Sequence, residues 1–171
     1  MSIAIQRDSL QRFLFEHTRV RGQLVHLDAS WKAILERHDY PPVVRTLLGE
    51  AMAATVLLAA TIKFQGSLIL QIQGEGPISL LVVQVTSERR VRGMAEWHGD
   101  VLPAPLHRLV RNGRLVITMQ PEDVGERYQG IVDLGEGAWP RRWRATSAAR
   151  NSSPRACGWR RTARPPQGCC C

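Results

Sequence analysis

At 171 residues the chain is long enough to bury one full core, and its formal charge of +8 would ordinarily point to nucleic acid. Counted by segment the excess disappears: residues 1–137 hold 15 basic and 15 acidic side chains, whereas 138–171 hold 8 arginines and no acid. The neutral body thus argues against nucleic acid as a partner. All four cysteines (Cys157, Cys169, Cys170, Cys171) fall in the basic tail, with Trp139, Trp143 and Trp159.

Taken in chain order, the start MSIAIQRDSLQRF lacks the basic stretch and apolar run of a secretory signal. Ile5 to Phe15 predicts a short amphipathic helix with Leu10, Phe13 and Leu14 on one side. Arg19 to Leu27 reads as a strand. Asp28 or Ser30 can cap a helix carrying Trp31, Ile34 and Leu35, which ends at Tyr40-Pro41-Pro42. A long helix over Pro42–Phe64 is almost wholly apolar and rich in alanine, so burial on several sides is expected and it becomes the central helix. The longest apolar run, Ala51 to Ile62 with Thr55 and Thr61 inside it, lies between Glu50 and Lys63 and is too short to span a bilayer.

From Gly66 the apolar period changes from helical to two. Strands are predicted over 67–73, Ile78–Val85 and Val91–Trp97, with turns at Gly74–Pro77 and Ser87–Arg90, forming an antiparallel meander. Leu106–Val110 suits a short helix. Asn112-Gly113 is open between a hairpin turn and a left-handed helix cap, and Leu115–Met119 and Tyr128–Leu134 are further strands. Helices followed by a run of strands indicate an α+β domain, a twisted antiparallel sheet packed with helices. Its expected bounds are 1–137, with 138–171 irregular.

The chemistry-bearing motifs are few. Gly74-Glu75-Gly76 could suggest a phosphate loop, but no Gly-Lys-Ser/Thr follows and no helix opens there, so a strand turn is the better reading. His17, His26, His38, His98 and His107 are scattered without i, i+4 pairing. No serine elbow or carboxylate pair stands out, and no enzyme activity is expected. In the tail, Cys157 precedes a terminal triplet by twelve residues, which does not provide the paired spacing a tetrahedral zinc site needs. No cysteine in residues 1–137 argues for an oxidising compartment, so a cytoplasmic protein is expected, with no membrane partner.

The stretches VRGQLVHLD, HDYPPVVRTLLGEAMAATVLLAATIKFQGSLILQIQGEGPISLLVV, VRGMAEW and GERYQGIVDL resemble the N-terminal domain of heat-shock protein 33 chaperones, over about residues 8–134. The resemblance implies an ATP-independent holdase of the stress response that binds unfolded or oxidatively damaged client proteins. It also implies a zinc switch of four cysteines in a C-terminal domain and dimerisation, so a homodimer is a possible assembly. This sequence departs from the family after Glu136, without the linker or the cysteine pairs. Zinc and redox sensing therefore carry over to no residue, and no cofactor is expected. Client binding in the family uses apolar sheet surface, which nominates the strands 67–73 and 78–85 with Leu68, Leu70, Ile72, Ile78, Leu80 and Val82.

The tail itself reads as a shifted frame. Taking the third base of each codon from Ala138 with the first two of the next, allowed codons spell LAEALEGYF, two ambiguous positions, then SEQLPTRVWLAADGAPAAGLLL. Cysteine codons begin TG, so Cys169-Cys170-Cys171 must encode Leu, Val or Met in that frame. The string resembles the family's continuation, and a net frameshift near Gly137 is the expectation. The competing readings are a nonfunctional fragment and a basic-tailed nucleic-acid-binding protein.

Overall fold

The computed structural model describes residues 8–17, 20–122 and 126–135. The elements run β1 (Ser9–Leu14), β2 (Arg21–His26), α1 (Ala29–Leu35), α2 (Pro42–Thr61), β3 (Gly66–Gln73), β4 (Ile78–Thr86), β5 (Val91–Trp97), α3 (Leu106–Val110), β6 (Arg114–Pro121) and β7 (Tyr128–Asp133). Strands β3 to β7 form one antiparallel sheet in the order β5-β4-β3-β6-β7, and β1 pairs with β2 apart from it. The class is α+β, as the chain order of helices and strands implied. The expected tail, 138–171, lies outside the described residues.

The first expectation to fail is the N-terminal helix, because Ser9–Leu14 is a strand. Leu10, Phe13 and Leu14 suit a helical face, but the segment finds better partners at long range. Phe13 lies opposite Gly22 and packs its ring where a side chain at Gly22 would stand, with a Cβ there only 2.1 Å from the ring. Arg12 Nη2 donates to the carbonyl of Ala60, in the last turn of α2, which has no basic residue of its own. A cation there satisfies an orphan carbonyl and complements the helix dipole. Asp8 accepts from the Asp28 backbone N–H at 2.6 Å, the Ser30 N–H at 3.0 Å and the Ser30 hydroxyl. Neither Asp28 nor Ser30 caps α1 with its own side chain; a carboxylate from across the fold holds that helix start.

Pro41 is extended and Pro42 opens α2, where its missing N–H costs nothing. The helix buries one stripe: Val44, Leu48, Ala51, Met52, Thr55 and Val56. Burial on several sides was the expectation, yet Leu47, Leu57 and Leu58 are only half-buried and Thr46, Glu50 and Ala54 are exposed. Alanines leave the outer face short rather than covered. By length and composition α2 could cross a membrane, at 20 residues and mean hydropathy 1.6, but its stripe packs onto the sheet as the core helix. Against it stand Leu70, Ile72, Leu81, Val83 and Val85, each contributing about 1.5–3 kcal/mol by burial.

Candidate binding surface

The strand registers assign every sheet residue to a face. Pairing Leu70 with Val83 and Ile117, and Ile72 with Leu81 and Leu115, puts these side chains on the helical face. The opposite face carries a row running through all five strands: Met94, Val82, Gln71, Val116 and Ile131. Leu80 and Ile69 flank it. Four of the five members of the row are apolar or nearly so, and at its two ends Met94 is 43% and Ile131 61% exposed.

The six residues nominated from sequence do not share a face. Leu68, Leu70 and Ile72 point to the helices and are buried, so the expectation that they form exposed surface is corrected. Ile78 is buried as well. Its number has the same parity as Leu80 and Val82, but the register slips by one residue between Ile78 and Leu80, and this bulge turns Ile78 inward. Leu80 and Val82 alone lie on the outer face, half-buried. The residues missed are Met94 and Ile131, which only the pairing of β4 with β5 and of β6 with β7 brings into line. Alternation announced two faces without saying which one the helices cover.

On the helical face the cover is incomplete. Helix α2 packs over β3, β4 and β5, and among the described residues no helix covers β7 on that side. Tyr128 (67%) and Val132 (53%) are exposed there, beside half-buried Leu115, Ile117 and Met119. A depression of about 140 Å³ opens at one end of this area, lined by Ile62, Phe64, Met119 and Tyr128 among others. At the far edge, β7 is exposed at every position.

The Gly74-Glu75-Gly76 turn is packed against the end of α3. Its Gly76 N–H donates to the Val110 carbonyl at 3.1 Å and its Glu75 N–H to the Arg111 carbonyl at 2.8 Å. Asn112 Nδ2 closes the contact on Glu75 Oε2 at 2.8 Å. These donors cap a helix C-terminus and none is left to cradle a phosphate, which agrees with the strand-turn reading. Asn112 is left-handed, with φ 47°, so the Asn112-Gly113 alternative resolves to the helix cap.

Among the described residues the titratable groups offer no constellation. Burial alone would raise the Asp8 carboxyl, but the Ser30 hydroxyl and the backbone N–H groups of Asp28, Ser30 and Ala29 outweigh it and hold its pKa below the usual 3.8. Its partners are structural. No group of three or more His, Cys, Asp or Glu among the described residues could hold a metal. Residues 1–137 contain no cysteine, so a thiolate zinc site does not fit this part of the chain.

What the fold and this surface define is an α+β domain with apolar side chains presented on both sides of one sheet. The profile of the Hsp33 protein family matches residues 8–139, and the chain belongs to that family. It is 57% identical over 128 residues to the 33 kDa chaperonin of Nitrosococcus oceani, covering 75% of this chain and 44% of that protein. With the 33 kDa chaperonin of Cronobacter sakazakii it shares 53% identity over 130 residues, 75% of this chain and 44% of the relative. The crystal structure of the Thermotoga maritima 33 kDa chaperonin superposes with a TM-score of 0.60 at 22% identity, covering 75% of this chain and 46% of that one. That last likeness is one of fold. The chain spans less than half the length of these relatives.

Proposed function

We propose that this protein is an ATP-independent holdase that binds unfolded chains by apolar contact, without the family's zinc and cysteine switch. The observation that carries it is the outer row that holds Val82, Met94 and Ile131, flanked by Leu80, in a member of a family whose relatives are named chaperonins. Unfolded chains expose apolar surface, and each Å² removed from water contributes about 25 cal/mol, so a sheet face offering such contact delays aggregation without chemistry. Clients, in this reading, are unfolded or oxidatively damaged proteins of the cytoplasm. The departure of the reading frame near Gly137 is part of the proposal, supported by a family match that stops at residue 139, beside the change in composition.

The test is light scattering of a heat-unfolding client with the chain in equimolar amount, reduced or treated with peroxide. Protection is expected in both samples to the same extent, with no stoichiometric zinc by metal analysis. Val82→Lys combined with Met94→Lys should reduce it by about half or more, since a charge is costly in an apolar contact. Absence of protection would favour a nonfunctional fragment. A severalfold rise with peroxide would make the tail cysteines a real switch and overturn the reading. Binding to DNA with a steep salt dependence would favour the basic tail as the functional element.

A further inference from the structure

We propose that the outer edge of β7 takes up an extended segment of an unfolded chain as a sixth strand of the sheet. This rests on the holdase reading above and names the form in which a client is held.

The backbone directions carry the argument. The Leu134 N–H donates to the Gly113 carbonyl at 2.7 Å, and these two residues continue the β6–β7 register. In an antiparallel pair the bonded residues recur at every second position, so Tyr128, Gly130 and Val132 turn their backbone groups to β6. The other side of β6 agrees. The Glu122 N–H donates to the Gln65 carbonyl at 3.2 Å, which assigns the even-numbered residues of β6 to β3 and the odd-numbered ones to β7. Gln129, Ile131 and Asp133 therefore aim their N–H and carbonyl groups away from the sheet, and among the described residues no strand pairs with them. Every residue of β7 is exposed.

Sheet edges are ordinarily guarded by a bulge, proline, charge or a covering element. The opposite edge has such guards: a bulge interrupts the pairing of β5 with β4, β5 carries Arg92 and Glu96, and α1 packs against it. Strand β7 pairs without a register shift and contains no Lys, Arg or Pro. Its one charge, Asp133, is met by Arg114 at 3.6 Å.

The size of this edge favours an unfolded chain over a second copy. Six residues at about 3.4 Å each make an edge about 20 Å long, and with a depth of about 10 Å one added strand hides on the order of 400 Å² in total. A stable dimer needs about 1,000 Å² or more. Main-chain bonding is weak and tolerant of sequence, which suits varied clients, since every unfolded chain has free N–H and carbonyl groups. Ile131 joins the edge to the outer row, because a strand laid beside it places alternate side chains on the face of Val82 and Met94.

The experiment titrates the full 171-residue chain into a fluorescein-labelled peptide, KTVTVTVK, and follows anisotropy. Saturable binding is expected. The same peptide N-methylated at its six central residues keeps its side chains and loses those N–H donors, so it should bind about tenfold more weakly or worse. Gln129→Pro removes one outward N–H and leaves the bonds to β6, and should weaken the parent peptide about fivefold or more. Gln129→Ala is the matched control, since both variants lose the side-chain bond to Thr118, and it should stay within about twofold of the parent chain. If the proline variant melts early, the methylated peptide decides alone. No binding, or equal binding of the methylated peptide, would overturn the inference. So would a dimer in analytical ultracentrifugation that Gln129→Pro dissociates, which would assign the edge to a second copy. The holdase reading is judged apart, by light scattering of the client. Protection that survives with the edge refuted leaves the outer row as the holding surface. Absence of protection sinks the holdase reading, while the peptide result still decides whether this edge takes a strand.

Discussion

Replacing Gly74 by alanine is the sharpest test of the view that the Gly-Glu-Gly turn is a structural joint. A Cβ built there would lie 1.7 Å from the Val110 carbonyl oxygen and 2.6 Å from its carbon, both backbone atoms that cannot swing aside. The turn must then retreat from α3, and with it go the Gly76 and Glu75 backbone bonds and the Asn112 bond to Glu75. Two to three bonds at about 1 kcal/mol each, with carbonyls left unpaired, give a loss of about 2–4 kcal/mol. The smaller entropy of an unfolded chain containing alanine returns only about 0.4–1 kcal/mol. Gly130→Ala is the control, since its Cβ would meet nothing within 4 Å. Urea unfolding followed by circular dichroism should therefore find Gly74→Ala destabilised by about 2–3 kcal/mol and Gly130→Ala neutral or slightly stabilised. Phosphate should not alter the gap. If Gly74→Ala stays within about 0.5 kcal/mol of the parent, or phosphate selectively stabilises the parent, the joint reading is wrong.

Asp8→Asn should destabilise the protein at neutral pH and not in acid. The Asp8 pKa is lower folded than unfolded, so its contribution is present above the unfolded value near 3.8 and is lost as pH falls through the lower folded value. Thermal melts of parent and variant should thus begin to converge as pH falls below about 4 and meet only below the lower folded value, and a gap that widened in acid would contradict the sign. Arg12→Ala should lose about 1 kcal/mol by removing the donor to the Ala60 carbonyl at the end of α2, with Arg12→Lys restoring part of it in urea titrations.

The sequence by itself determined the class of the fold and most of its elements. Val91–Trp97 and Leu106–Val110 match their predicted bounds, because alternation, proline and turn residues act locally and the nearest neighbours in the chain decide. It also determined the family, through a long run of residues from His38 to Pro77, and marked the change of character near Gly137 by charge alone. What only the tertiary structure decided is where local patterns are ambiguous. Leu10, Phe13 and Leu14 suit a helix as well as a strand, and the choice fell to partners at Gly22 and at the end of α2. Alternation in β3 and β4 announced two faces, but the side that α2 covers is a property of packing. The bulge before Leu80 then reverses Ile78 against its own parity. The row from Met94 to Ile131 exists only because β5 and β7, at opposite edges, are brought into one register by three strands between them. Local propensity is read along the chain, whereas a surface is assembled across it, from residues whose separation in sequence carries no signal of their alignment.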